Sequence, residues 1–353
     1  MKLGVHPVRT PCGTSGSYFV RDASKKYIAI FKPKDEEPFA SLNPKWPKYF
    51  QRILSFCCFG RACLIPNMGY MSELKIVPNT YLVQLASPSF FYRKQGEFKL
   101  KNGSYQCIII FRVQLMKSYF QQRLRINRKS KNSSFQLFVD GFESANIVLA
   151  KWSHKSPLTE KESQKFHILF QKMCVLDYVI RNTDRHMDNW LIKYKQNEEI
   201  DIAAIDNGLA FPVKHPETAS RLRPFPFEWA NLSWALIVLL NNIFQPWDDT
   251  LKEFLLGLLT TKFVRDLCAD LRTLFKYDPT ANSLLIHNQL KVMRGQIWNL
   301  RCSLLNEESP AQMVKKAPIL VSFRNRGYIG SITADWNEAF IVKPADYRRR
   351  QWC

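Results

Sequence analysis

The stretch VIRNTDRHMDNWLIKYKQNEEIDIAAIDNG, Val179 to Gly208, constrains this chain more than any other. A loop there carries Asp184, Asp188 and Asn189 beside Arg181, Arg185 and His186, and two apolar segments follow before a further acid, Asp206. The run before the loop, from Glu160, repeats Leu169, Met173, Leu176 and Ile180 at helical spacing. The segments NWLIKY and IDIAAID flank the polar turn KQNEE and predict a hairpin. Helix, polar loop, hairpin and D-x-G therefore follow in one order. Polar residues that dense between apolar segments usually answer to chemistry. The competing reading is a solvated loop with Asx turns.

The rest of the chain fits around that order. Residues 13–32 alternate as a hairpin through the turn-like RDASKK, residues 74–87 give one or two strands, and residues 134–142 a further strand ending in a glycine turn. Beyond Pro224 the pattern is helical to about Leu305, with helices near 233–243, 249–257, 261–275 and 285–304. The stretch beyond Pro310 is basic and without strong pattern. Strands first and helices later predict an α+β fold of two lobes. The 353 residues, 46% hydrophobic, suffice for a large core. The expected division is a tail over 1–12, a strand-rich N-lobe over 13–139 with a basic insertion at 92–132, a helical C-lobe over 140–310, and a basic tail over 311–353.

Net charge is +21, which points to an anionic partner. Eleven basic residues against the single acid Glu97 lie between Arg93 and Lys131. No RNP1 pattern, GXXG clamp or finger spacing accompanies them, so nucleic acid is not the expected partner. The longest apolar stretch, LSWALIVLLNNIF, is shorter than the roughly 18 residues of a membrane span. The N-terminus lacks the apolar middle of a secretory signal, and Lys2 stands where a myristoylation glycine belongs. A cytosolic setting is expected, with the nine cysteines reduced.

Phosphoryl transfer needs backbone donors over the phosphates and a lysine on them. It also needs oxygen ligands for magnesium and an acid to orient the attacking hydroxyl. The glycine turn Gly13, Thr14, Ser15, Gly16, Ser17 lets N–H groups approach a phosphate, and Lys32 ends the strand that reaches back under it. Taken singly, these read as an ordinary turn and a solvated strand lysine. Asp184 and Asn189 have the separation of the aspartate and magnesium asparagine in protein-kinase catalytic loops, and Asp206 of the DNG stands where those enzymes carry Asp-Phe-Gly. Asp184 and Asp206 repel one another if close unless a divalent cation lies between them and Asn189.

FKPKDEEPF, LNPKW, CCFGR, SFQLFV, LDYVIRNTDRHMDNWLIKY, IAAIDNGLAFPVKHP and VMRGQIWNL together closely resemble the type II phosphatidylinositol 4-kinases, the beta form above all, over roughly residues 13–91 and 134–310. The resemblance implies a two-lobed, protein-kinase-like fold of the PI3/PI4-kinase type. It implies transfer of the ATP γ-phosphate to the 4-hydroxyl of phosphatidylinositol, with Mg²⁺ or Mn²⁺, on the cytosolic faces of trans-Golgi, endosomal and plasma membranes rich in anionic lipid. Carried over by position, Gly13 to Ser17 form the nucleotide loop and Lys32 contacts ATP phosphates. Gln136, Leu137, Phe138 and Val139 line the adenine. Asp184 is the catalytic aspartate, Asn189 and Asp206 are the metal ligands, and Glu37, Pro38 and Phe39 lie near the lipid headgroup. Cys57 and Cys58 match half of a palmitoylated Cys-Cys-Pro-Cys-Cys motif, and Phe225, Phe227 and Trp229 match a membrane-contacting segment.

The chain departs from the family pattern at identifiable places. Leu54, Ser55 and Phe56 replace the first cysteine pair and the proline, and Asn231 replaces a tryptophan. The segment before residue 80 is shortened and leaves Glu73 as the obvious carboxylate partner for the lysine. Residues 92–132 match nothing in the family. His186 and Met187 replace a Gly-Asn pair, which predicts local strain if that glycine has positive φ. A catalytically impaired, nucleotide-holding membrane protein of kinase shape is therefore the alternative to an active enzyme.

Overall fold

A Thr-x-x-Glu box opens the longest element of the catalytic stretch. In the computed structural model Thr159 Oγ1 accepts the Glu162 N–H, and the Glu162 carboxylate accepts the Thr159 N–H at 2.9 Å. Two donors that a helix start leaves unmatched are thereby satisfied. The structure describes residues 5–11, 16–33, 36, 77–85, 87, 89–90, 131–152, 157–182, 184–207, 210–211, 245–276, 282–324 and 335–344. They fall into two units, one from Met1–Arg61 and Pro78–Asp140, the other from Ala62–Val77 and Gly141–Cys353. The division after Asp140 lies one residue from the lobe boundary expected from sequence, and Val77 goes with the second unit.

The first unit is a five-stranded antiparallel sheet. Its strands are β1 (Val8–Arg9), β2 (Tyr18–Arg21), β3 (Tyr27–Pro33), β4 (Thr80–Leu85) and β5 (Lys131–Leu137), in the order β1-β2-β3-β5-β4. β2 and β3 form the expected hairpin, closed by Asp22, whose carboxylate accepts the Lys26 N–H at 2.9 Å. β5 inserts between β3 and β4, pairing Lys32 with Ser134 and Val83 with Ser133. Strand alternation puts Ala29 and Phe31 on the buried face. Phe31 stacks on Phe90 at 4.9 Å, and Tyr18 meets the same ring edge-on.

The second unit is built on α2 (Glu160–Ile180), which follows β6 (Glu143–Ser144) and α1 (Ala145–Trp152). From Gln171 to Ile180 only Lys172 of α2 is not buried, as expected of a helix covered on every side. β6, β7 (Trp190–Lys195) and β8 (Glu199–Ala204) form a three-stranded sheet against it. Ile192, Ile200, Ile202 and Ala204 join Phe170, Met173 and Leu176 in one core. α3 (Asp249–Leu258), α4 (Thr261–Phe275) and α5 (Ser283–Leu305) follow near their expected positions. The helix expected near 233–243 lies outside the described residues. In α4, Val264, Leu267, Cys268, Leu271 and Phe275 form the buried stripe, at the three- and four-residue spacing of one helical face.

Beyond Pro310, where the sequence is patternless, the described residues fold onto α5. After α6 (Pro310–Met313), β9 (Ile319–Phe323) pairs antiparallel with β10 (Phe340–Pro344), which follows the short α7 (Trp336–Ala339). Gly295 of α5 admits the β9 backbone: a Cβ there falls 1.9 Å from the Ile319 carbonyl oxygen. Arg294 donates to the Val321 carbonyl at 2.7 Å and lies over the Phe323 ring at 4.8 Å. The described residues of this stretch therefore carry helix and strand that the sequence pattern does not display.

Candidate active site

In the first unit, Gly16 donates its N–H to the Glu36 carbonyl at 2.8 Å, and Tyr18 donates its hydroxyl to the Glu36 carboxylate at 2.6 Å. The far side of the glycine turn is thus tied to β2 through a wholly buried acid. A Cβ at Gly16 lies 2.6 Å from the Glu36 Cβ, so the fit requires glycine. Lys32 is the penultimate residue of β3, on the face opposite Phe31. Gln136 and Leu137 end β5, Gln136 donating to Thr80 Oγ1 at 3.3 Å, and the Phe138 N–H bonds the Ile28 carbonyl at 2.9 Å. Val139 is half-buried, and Asp140 after it is the last residue of the first unit. Gly13, Thr14, Ser15, Glu37, Pro38, Phe39, Cys57, Cys58, Glu73, Phe225, Phe227, Trp229 and Asn231 lie outside the described residues.

In the second unit, α2 ends at Arg181 with left-handed backbone, φ 48°, its N–H returning to Asp177 and Tyr178 carbonyls. Asn182 then donates its side-chain amide to the Asp177 carboxylate at 3.1 Å and accepts the Asp184 N–H at 3.0 Å. The Asx turn, the bland reading of this loop, is therefore the device that positions Asp184. Asn189 Nδ2 donates to the Asp184 carbonyl at 2.7 Å and its carboxylate at 3.3 Å. β7 and β8 pair from Trp190 opposite Ala204, and the Ile205 N–H bonds the Asn189 carbonyl at 3.0 Å. That ladder puts Asp206 beside Asn189 at the open end of the hairpin. Asp206 itself has left-handed backbone, φ 50°, a conformation Asp tolerates better than most residues.

Both arginines of the loop are buried. Arg181 is buried and donates to Gln296 of α5 at 3.2 Å. Arg185 pairs with Asp177 at 3.0 Å, both side chains wholly inaccessible. Its Nη1 donates to the Asn189 and Ile205 carbonyls, and Nη2 also donates to the Asn207 side chain. Breaking such a pair from one side costs about 3–5 kcal/mol, because it strands a buried charge.

His186 has no positive φ, so the strain expected from replacing glycine is absent. Its Nδ1 accepts the Asp188 N–H at 3.2 Å. The Met187 carbonyl accepts the Asn146 N–H at 3.2 Å, and Ser144 Oγ donates to the Asp188 carboxylate at 3.0 Å. Sequence reasoning missed this support from β6 and α1. Its signal was the short apolar run IVLA after a Ser-Ala-Asn start.

The site can therefore present two carboxylates and an amide from one loop and one hairpin end. Among the described residues no three His, Cys, Asp or Glu side chains gather as a metal cage. An ion there depends on oxygen donors of mixed kind, the set that suits magnesium when phosphate oxygens complete it. Residues 13–232 match the model of the phosphatidylinositol 3- and 4-kinase family. The chain belongs to that family. Within it, the chain is 40% identical over 362 residues to phosphatidylinositol 4-kinase type 2-beta of Gallus gallus, covering 94% of this chain and 72% of the relative. Identity is 39% to the type 2-beta enzyme of Mus musculus, over 94% of this chain and 73% of the relative. It is also 39% to the type 2-alpha enzyme of Danio rerio, over 90% and 73%. A lipid-kinase family of two-lobed α+β fold accounts for the sheet unit and the helical unit alike. Among the described residues no helix is long and apolar enough to cross a membrane. Cys174, Cys268 and Cys302 are free thiols.

Proposed function

We propose that the chain is a 1-phosphatidylinositol 4-kinase that transfers the γ-phosphate of ATP to the 4-hydroxyl of phosphatidylinositol. What supports the reading is that Asn189 bonds Asp184 while its own carbonyl accepts the N–H of Ile205, the residue before Asp206. Asp184 accepts the proton of the attacking hydroxyl and orients it. The Asn189 amide holds Asp184 in place through its nitrogen, and its oxygen and the Asp206 carboxylate hold the divalent cation, Mg²⁺ or Mn²⁺. That cation, when bound, neutralises charge developing on the phosphate oxygens. Gly13 to Ser17 and Lys32 take the nucleotide phosphates, and Gln136 to Val139 the adenine.

The membrane side of the function rests on the family pattern. Glu37, Pro38 and Phe39 serve the headgroup, Phe225, Phe227 and Trp229 the lipid interface, and Cys57 and Cys58 carry palmitate. A net charge of +21 favours anionic lipid on the cytosolic faces of trans-Golgi, endosomal and plasma membranes. The test is turnover of phosphatidylinositol in detergent micelles with MgATP, wild type against Asp184→Ala. The variant should lose phosphorylation and keep nucleotide binding. A wild type without magnesium-dependent turnover overturns the assignment.

A further inference from the structure

The guanidinium of Arg185 touches the hairpin end at three places that have one thing in common. It donates to the carbonyl of Asn189, to the carbonyl of Ile205 and to the side chain of Asn207. Asn189 is one assigned metal ligand, and Ile205 and Asn207 are the residues immediately before and after the other, Asp206. On its inner side the same group is fixed by Asp177 of α2, with Nε within 3.1 Å of both carboxylate oxygens. Asp177 also receives the amide of Asn182, the residue that accepts the Asp184 N–H. One wholly buried ion pair therefore touches the Asn189 carbonyl and both neighbours of Asp206, and reaches the Asp184 N–H through Asn182.

We propose that Arg185 is the positioning residue that sets the spacing and backbone conformation of Asn189 and Asp206 for the divalent cation, a role that rests on their assignment as its ligands. Ligand oxygens on a loop and on the end of a ribbon are adjacent only if something fixes the two backbones together. The single ladder bond from Ile205 to Asn189 leaves rotation about the hairpin end, and Asp206 must also hold a left-handed φ of 50°. A planar fork grips both sides of Asp206 and the Asn189 carbonyl at once. Lysine keeps the charge opposite Asp177 but is a point donor without that fork. Arg185 does not touch substrate or ion in this assignment. It acts through the two ligands.

The test uses the full chain and Arg185→Lys, with thermal unfolding to establish the folded fraction. Two readouts follow: ATP affinity by calorimetry in EDTA and in excess MgCl₂, and the Mg²⁺ concentration for half-maximal turnover on phosphatidylinositol micelles. Arg185→Lys should bind ATP in EDTA as the wild type does, gain less affinity from Mg²⁺, and need about 10–100-fold more Mg²⁺ for half-maximal rate, the usual effect of losing a group that orients metal ligands. A variant whose Mg²⁺ requirement stays within twofold of wild type overturns the proposal, even if its melting temperature or maximal rate falls. Should Arg185→Lys fail to fold, Asn207→Ala decides, since it removes one arm of the fork and leaves the ion pair. A rise in its Mg²⁺ requirement supports the role and an unchanged one overturns it. If the wild type does not phosphorylate phosphatidylinositol, the proposed function falls and calorimetry alone judges Arg185. If Mg²⁺ then adds nothing to ATP affinity in the wild type, the ligand assignment and this role fall together.

Discussion

Gly295 gives a perturbation for which two physical arguments predict opposite signs. It sits in the middle of α5, where replacing glycine by alanine ordinarily stabilises by about 1 kcal/mol through backbone entropy. Here the new Cβ comes 1.9 Å from the Ile319 carbonyl oxygen and 2.8 Å from its carbon, both backbone atoms. Carbon and carbonyl oxygen normally approach to ~3.3 Å, so β9 must retreat by more than an ångström. Overpacking of that kind costs about 1–3 kcal/mol. The retreat also stretches the 2.7 Å bond from Arg294 to the Val321 carbonyl, a charged hydrogen bond of about 1.5–3 kcal/mol. Wholly buried Val321 loses packing as well. Set against the entropy gain, Gly295→Ala should destabilise by about 2–4 kcal/mol and lower the melting temperature by roughly 5–10 °C for a unit of this size. Calorimetric unfolding of the ligand-free protein measures it. A melting temperature equal to or above wild type would refute the close approach of β9 and leave helix propensity as the only effect.

Two further outcomes are expected. Lys32→Ala should weaken ATP affinity by about 10–100-fold, the loss of one charge-assisted contact to phosphate, read by calorimetry; unchanged affinity removes the lysine from the nucleotide site. His287 is held below its ordinary pKa by partial burial and by Lys291, Arg294 and Arg272. The unfolded chain therefore binds its proton first, and stability drops as pH falls below ~6.5 toward the lower folded value. His287→Gln should match wild type above pH 7.5 and melt higher than it at pH 5.5, whereas parallel melting curves across that range would exclude a linked proton.

What the sequence displays and what it hides divide on physical lines. The helix Glu160–Ile180 and the hairpin Trp190–Ala204 are legible because each depends on residues close in sequence: a capping box, an apolar spacing, a polar turn. The insertion of β5 between β3 and β4 is not, since its partners lie around a hundred and around fifty positions away and periodicity carries no pairing information. The β9–β10 hairpin is hidden for a related reason. Its strands are five residues each, and what stabilises them is the surface of α5, including a missing Cβ at Gly295. Arg185 is the plainest case. A charged residue in a polar loop reads as solvated, and only the folded chain shows Asp177 waiting one helical end away with no access to water. Asp184, Asn189 and Asp206 can be singled out as candidates because their order and separation, unlike their partners, are properties of the string.

Loops are normally the mobile part of a fold, yet transferring a phosphoryl group requires side chains held within about 0.5 Å. The loop from Asn182 to Asn189 resolves this through where its polar groups are answered. The Asp184 N–H goes to Asn182, the Met187 carbonyl to α1 and β6, the Asn189 N–H to His186, and the Asn189 carbonyl to Ile205 and Arg185. Among its described residues, the bonds that shape it come from the main chain and from Asn182, Arg185, Asp188 and Asn189. The side chain of Met187 supplies none of them, and His186 supplies one local turn contact. That is why the family's Gly-Asn pair can become His186–Met187 here without a strained φ: the glycine's conformational freedom is not what the backbone uses at that position. The same logic places the loop's sensitivity elsewhere. A change at His186 should be absorbed, whereas a change at Asn182 or Arg185, neither of which is assigned to substrate, should disturb the carboxylates that are.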